Sequence, residues 1–362
     1  MAAVSVAPWL EPVRAHLAAL RARGAHAALV HGPAGIGKWD LVMSFAREVL
    51  CESPRAGARA CGECASCLLL AAGNHPDLRV VVPDALAARR PAQPLEPTEA
   101  EGQAEEPASG RSKPSREIKI DQVRELSDLL VLSAHRGGAR VVALGPAEAL
   151  NLPAANALLK SLEEPPPGCL FLLVSDQIDR CLPTVLSRCA LLRAPLPPRE
   201  QALQWLASQG IDAREAASRL TEAGGAPLLA ARGDASELEP GLRQTLVSLL
   251  RRGRALAPAD VASELPRTIA VGSAVALFQR WAWDYFSYRL GGALRYHPAE
   301  TAAFEALAGD WSLAAAARWA DGLRDLRAVA DHPLNARAAI EGALLQYCAS
   351  FVDQNLNESN RL

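Results

Sequence analysis

Leu29-Val30-His31-Gly32-Pro33-Ala34-Gly35-Ile36-Gly37-Lys38-Trp39-Asp40 is the stretch on which the fold turns. An apolar run enters a glycine-rich turn, and a helical pattern follows from Asp40 to about Leu50, which reads as strand, loop and helix. Gly32, Gly37 and Lys38 have the spacing of a phosphate-binding loop, with Gly35 between them. Glycines let several backbone N–H groups point at one anion, the next helix adds the positive end of its dipole, and the lysine reaches the outer phosphates. The motif departs at its end. The hydroxyl that should follow the lysine and hold Mg2+ is replaced by Trp39, whose indole offers a hard cation no oxygen. The loop is shaped for a nucleotide and its metal ligand is missing. The same glycines would also serve a tight strand-to-helix turn on steric grounds alone, and whether ATP still binds is open at this point.

Outward from this stretch the pattern is that of a buried parallel sheet flanked by helices. Trp9–Ala22 is amphipathic, with Leu10, Val13, Leu17 and Leu20 at helical spacing, and His26–His31 is the first strand. A turn at Asn74-His75-Pro76-Asp77 precedes a short strand over Leu78–Val82. A helix opens at Ile118-Lys119-Ile120-Asp121 and runs to about Ser133, with Asp121 expected as its N-cap. Arg140–Leu144 is apolar throughout, as an interior parallel strand should be. An ATPase would place an acidic pair at the end of this strand, one carboxylate for Mg2+ and one for the attacking water. The chain has Gly145-Pro146 there, and Glu148 reads as a helix-start residue. Leu152–Leu162 is a helix stopped by Glu163-Glu164-Pro165-Pro166-Pro167. Cys169–Ser175 is another buried strand, Leu182–Cys189 a short helix-like element capped by arginine, and Leu191–Arg193 a last short strand.

Cys51, Cys61, Cys64 and Cys67 stand apart from the other cysteines. Two Cys-x2-Cys turns share Cys64, and the loop back to Cys51 is long enough to bring round a fourth thiolate. Four soft sulfur ligands suit a closed, structural tetrahedral zinc, which would staple this loop to the end of the preceding helix. An iron–sulfur cluster and free buried thiols are the rival readings. Residues 84–116 hold five prolines, seven alanines and five glutamates, with no aromatic, valine or isoleucine. Such a composition predicts a disordered insertion within the domain, because it cannot bury enough apolar surface to offset ordering.

After Arg199 every pattern is helical. A small three-helix unit reaches about residue 233, and longer amphipathic helices follow from about Leu238, ending with one over Asn335–Phe351. Trp281, Trp283, Tyr285, Phe286 and Tyr288 crowd one of these helices and read as core packing rather than a base-stacking surface. A formal charge of −2 over 362 residues gives no global field to hold a polyanion. No run of 18 apolar residues and no signal-peptide pattern is present, so a cytoplasmic protein is expected.

With these residues in view the chain resembles the delta-prime type of subunit of bacterial DNA polymerase III clamp loaders, within the AAA+ superfamily. The resemblance covers most of the first 195 residues. It rests on the phosphate-loop remnant, the four cysteines, Asn156-Ala157-Leu158-Leu159-Lys160 leading into Leu162-Glu163-Glu164-Pro165-Pro166, and Ser187-Arg188-Cys189. It implies an AAA+ domain over 1–196 with a zinc module at 51–67 and the insertion at 84–116, a helical lid at 197–235, and a helical collar for oligomerisation at 236–362. It further implies that Arg188, within Ser187-Arg188-Cys189, reaches the ATP of a neighbouring subunit, where a planar cation stabilises the spreading charge. Ser175 falls where such proteins carry a polar sensor, and Pro227 falls where an active relative has a lid arginine.

Of the four parts of an ATP site, the metal hydroxyl (Trp39), the acidic pair (Gly145, Pro146) and the lid arginine (Pro227) are lost, and Lys38 remains. The expected function is therefore that of an ATPase-silent subunit. The resemblance implies that it is no enzyme by itself and is a component of a DNA-directed DNA polymerase holoenzyme, a nucleotidyltransferase. Its cofactor is structural zinc, with ATP bound weakly or not at all. Its partners are gamma/tau- and delta-type subunits, and through the assembly the sliding clamp and primed DNA, with no membrane. Two rivals are a working gamma/tau-type ATPase, marked by intact metal and acid ligands, and a zinc-containing DNA-binding protein, marked by salt-sensitive DNA affinity of the isolated chain.

Overall fold

Five parallel strands form one sheet in the order β2-β3-β4-β1-β5, with β1 Ala27–His31, β2 Leu78–Val81, β3 Arg140–Leu144, β4 Cys169–Ser175 and β5 Ala190–Arg193. The computed structural model describes residues 6–55, 59–87, 115–131, 138–233, 238–266, 269–329 and 335–351. β4 holds the middle place, and all seven of its residues are buried. It is an uninterrupted apolar run of the kind that a strand covered on both faces requires. Register brings the carboxyl ends together: His31 lies opposite Ser175 and Arg193, and Leu144 opposite Leu173. The loops leaving β1, β3 and β4 therefore emerge side by side, which is where open α/β sheets bind ligands.

Helices α1 (Glu11–Ala22), α2 (Lys38–Leu50), α3 (Ala65–Ala72), α4 (Asp84–Ala87), α5 (Ile120–Val131), α6 (Leu152–Glu163) and α7 (Pro183–Leu186) complete the first compact unit, Met1–Pro197. One core joins a sheet face to α5 and α6 through Leu29, Val142, Phe171, Leu173, Val123, Leu126, Leu158 and Leu162. Asn151 N-caps α6, its side chain accepting the Ala154 N–H at 2.9 Å.

Three local expectations need correction. α2 begins at Lys38, inside the loop motif, because Gly37 takes a left-handed φ of 93° and serves as the cap. Asp121 is not an N-cap. Ile118 pairs with Leu150 in a β-bridge, so the chain turns only after it and α5 starts at Ile120, with Asp121 in its first turn. Here Gln122 reaches back to accept the Lys119 N–H at 3.0 Å. α3 was not foreseen. Its sequence, Ala65-Ser66-Cys67-Leu68-Leu69-Leu70-Ala71-Ala72, is apolar nearly all round and offers no periodicity to read.

Most of the expected insertion, residues 88–114, lies outside the described residues. Its two flanks are ordered and tied. The Ala85 N–H donates to the Ser115 carbonyl at 2.9 Å, and Gln122 Nε2 donates to the Val82 carbonyl at 3.0 Å.

The second compact unit, Pro198–Leu362, is built of helices, with no strand among its described residues. α8 (Arg199–Ser208), α9 (Ala213–Glu222) and α10 (Pro227–Arg232) are followed by α11 (Pro240–Arg251), α12 (Pro258–Glu264), α13 (Val271–Arg289), α14 (Thr301–Asp310), α15 (Leu313–Val329) and α16 (Ala336–Ala349). The aromatic helix α13 sends Trp281 and Tyr285 into the core beside Phe304, Trp311 and Trp319, while Trp283 stays exposed with its ring edge-on to Tyr296. Within this unit the Gly224-Gly225 turn is fastened to the residues after α13: Arg295 Nε donates to the Gly224 carbonyl at 2.6 Å, and Arg243 pairs with Glu222 at 2.5 Å.

Candidate functional site

The loop between β1 and α2 keeps the backbone shape of an anion cradle. Gly35 and Gly37 take left-handed φ values of 74° and 93°. Gly32 cannot be anything else, because a Cβ there would lie 2.2 Å from the Ala194 carbonyl oxygen. From behind, Trp9 Nε1 donates to the Ile36 carbonyl at 2.8 Å and fixes the loop to the segment before α1.

What the loop holds is its own lysine. The Lys38 ammonium is buried, and it donates to the carbonyls of Gly32 (2.7 Å) and Pro33 (2.6 Å) and pairs with Asp176 Oδ1 at 2.6 Å. An ammonium has three N–H donors, and these three acceptors engage all of them. Burial first, then the charges of Arg193 and Lys38, hold the neighbouring His31 imidazole below its ordinary pKa.

The position of the acidic pair is physically filled. A Cβ on Gly145 would meet the Trp39 ring at 3.1 Å and Val174 Cβ at 3.2 Å. Trp39, which directly follows the loop lysine, thus packs over Gly145 at the end of β3. Glu148 lies in the first turn of the short 3-10 helix Ala147–Ala149. Its Oε1 accepts the backbone N–H groups of Asp176 (3.0 Å) and Gln177 (3.1 Å), anchoring the loop that follows β4. Ser175 is fully buried, and its hydroxyl oxygen accepts the Gln177 N–H at 3.2 Å and the Cys181 thiol at 3.3 Å, so the sensor position is engaged within its own loop. Asp176 and the anchoring role of Glu148 were missed in the sequence. The available signal was a carboxylate directly after a strand that register sets beside β1. Pro227 is buried at the first position of α10, which therefore offers no guanidinium there.

Arg188 follows α7. Its Nη1 donates to the Thr184 carbonyl at 2.9 Å and its Nη2 pairs with Glu163 at the end of α6, leaving about a third of the side chain exposed. Ser187 Oγ donates to the same Thr184 carbonyl at 3.1 Å. Cys189 faces inward, and burial pushes its thiol up to about 12. In the isolated chain Arg188 is therefore docked on its own domain, the arrangement expected of a cap.

The four cysteines converge. Their sulfurs all lie within 4.8 Å of one another, with Cys51–Cys64 and Cys61–Cys67 both at 3.9 Å. A tetrahedron of sulfurs about 2.3 Å from a central ion has edges of about 3.8 Å, so these residues fit a metal ion. Cys51 directly follows α2, and Cys64 N-caps α3, its sulfur accepting the Cys67 N–H at 3.4 Å. The Glu63 and Cys64 N–H groups donate to the Cys61 sulfur and draw its thiol down to about 6, toward the thiolate that binds metal. Burial pushes Cys67 up to about 12, a shift that a bound cation would reverse.

Two braces hold this cluster. The buried Asp77 N–H donates to His75 Nδ1 at 3.1 Å, so Nε2 carries the ring hydrogen and donates to Ser66 Oγ at 3.0 Å, which in turn donates to Glu52 at 2.9 Å. On the other side Arg59 pairs with Glu11 at 2.7 Å, and Arg14 with the buried Glu48 at 3.0 Å.

A family model described as DNA polymerase III, delta subunit, matches residues 16–197. The chain is 46% identical over 229 residues to the DNA polymerase III subunit delta' of Pseudomonas aeruginosa, covering 62% of this chain and 60% of that protein. It is 37% identical over 273 residues to the subunit delta' of Yersinia pestis, covering 72% and 69%. The first of these matches thus spans less than two thirds of the relative's own length. Among solved structures, a DNA polymerase III gamma subunit-related protein of Thermotoga maritima aligns over 94% of this chain and 99% of its own, at 17% identity and a TM-score of 0.40.

Proposed function

Because the chain belongs to the DNA polymerase III delta' family, we propose that it is an ATPase-silent clamp-loader subunit that lends Arg188 to the ATP site of a neighbour. The observation that carries the silent half is the state of Lys38. Its three donors are engaged by Gly32, Pro33 and Asp176, while Trp39 and Gly145 fill the metal and acid positions. Phosphoryl transfer depends on positioning and on charge stabilisation, which call for metal and acid ligands that Trp39 and Gly145 do not offer. No helix among the described residues is long and apolar enough to cross a membrane.

Within this reading residues 1–196 form the AAA+ domain, 197–235 the lid and 236–362 the collar. Cys51, Cys61, Cys64 and Cys67 hold one structural zinc, which supplies cross-linking and no reaction chemistry. Gamma/tau- and delta-type subunits are the direct partners, and the sliding clamp and primed DNA are reached through the assembly. In the ring, Arg188 exchanges Glu163 for the phosphates of the adjoining nucleotide. That exchange is feasible because an exposed pair contributes only about 0–1 kcal/mol.

The test is Arg188→Ala in a reconstituted loader. Folding, metal content and association should stay intact, while the clamp- and DNA-stimulated ATPase falls, by up to about 10³-fold at the one site served. Lysine should rescue poorly, lacking the planar fork. A normal assembled ATPase together with an early-melting alanine variant would make Arg188 a structural cap and sink the proposal.

A further inference from the structure

The phosphate loop has kept its shape and lost its opening. Gly32, Gly35 and Gly37 retain the backbone turn, yet the ammonium that should face an outer phosphate faces a carboxylate of the same chain. That carboxylate does not drift there. Its backbone N–H is held by Glu148 Oε1 at 3.0 Å, and the next N–H is held by both Glu148 and Ser175. Beside the Lys38 ammonium stands a second cation, Arg193, which ends β5 opposite His31 in the sheet register. Asp176 is thus an anion placed in a cationic pocket by a purpose-held loop, with its side chain 41% exposed and able to leave.

We propose that Asp176 is a built-in competitor for the polyphosphate of a nucleotide, and that its removal opens an anion site at Gly32–Lys38. This rests on the silent-site reading and adds a cause to it: exclusion of polyphosphate by one side chain, separate from the absence of metal and acid ligands. Two carbonyls would still hold Lys38, so affinity is regained and turnover is not.

The experiment titrates the full chain with ATP, without magnesium and without chelator, by calorimetry. Wild type should show no saturable binding up to millimolar nucleotide. Asp176→Ala should bind measurably tighter, by about 3- to 5-fold, which is what a partly exposed ion pair commands. Asp176→Asn, which keeps the shape and removes the charge, should gain less. Adding Lys38→Ala to Asp176→Ala should abolish the gain, and tripolyphosphate should compete with ATP, since the loop reads phosphates and not the base. The assignment is overturned if folded Asp176→Ala and Asp176→Asn bind no better than wild type. It is equally overturned if the gain survives Lys38→Ala, or if tripolyphosphate does not compete. Hydrolysis by Asp176→Ala once magnesium is added would instead sink the silent-site reading while leaving the competitor in place, so the two failures are separable.

Discussion

The two ends of α2 have gone opposite ways. At its N-terminal end Lys38 has every donor satisfied by the chain itself, from Gly32, Pro33 and Asp176. At its C-terminal end Cys51 joins three other sulfurs that converge within 4.8 Å, with backbone N–H groups aimed at them. Buried polar groups have to be paired. At the phosphate loop the chain supplies those partners itself, Asp176 among them. Four sulfurs at one point cannot all ionise against one another, and a cation among them would offset that repulsion. On the function proposed above, internal closure marks the phosphate loop as a relic, and convergence of the sulfurs marks the cysteine set as a metal site.

The largest effects should come from the cysteine end. The purified chain should carry close to one zinc, measured after desalting without chelator. Cys64→Ser should release it, and residues around 51–67 should lose hydrogen-exchange protection, because the metal is the core of that loop. Lys38→Met should leave metal content unchanged. Metal-free wild type that keeps full protection there would break the comparison, since the cluster would then be closed without a cation.

Next in size is the filled acid position. Gly145→Asp should destabilise by about 2 kcal/mol or more in urea unfolding, because the new side chain overpacks against Trp39 and Val174 and brings a charge into a buried place. Trp39→Thr in the same chain should recover part of that loss, a coupling of about 1 kcal/mol in a double-mutant cycle. Strict additivity would mean that Trp39 and Gly145 changed independently. In either case the double variant should remain without ATPase activity.

The strands were legible because each is an apolar run punctuated by glycine or proline: β3 ends at Gly145-Pro146, and β4 is apolar from Cys169 to Val174. The cysteine set was legible because metal ligation fixes residue type and spacing together. The seal on the phosphate loop was not. Lys38 and Asp176 are far apart in sequence, and only the pairing of β1 with β4 makes them neighbours. Asp121 looked like a cap on local grounds, until the Ile118–Leu150 bridge drew the chain straight and moved the helix start. Both misses are places where a distant backbone decided a local question. Arg188 is the reverse case: its tripeptide was readable, but its contact with Glu163 depends on how α6 and α7 pack.

The smallest effect should be that of Asp176 on stability. Its side chain is 41% exposed, so water screens the pair, and the Gly32 and Pro33 carbonyls keep two of the three donors of Lys38 occupied when the carboxylate goes. Asp176→Asn should therefore cost less than about 1 kcal/mol. Lys38→Met should cost more, about 1–2 kcal/mol, because it strands two carbonyls at once. Urea midpoints of the two variants at unchanged slope would give this order. A cost of several kcal/mol for Asp176→Asn would show the carboxylate to be as necessary at the N-terminal end of α2 as metal is expected to be at the other. The loop would then be a rebuilt structural joint, bound to its internal anion as firmly as the cysteines to their cation, and the contrast between relic and retained site would disappear.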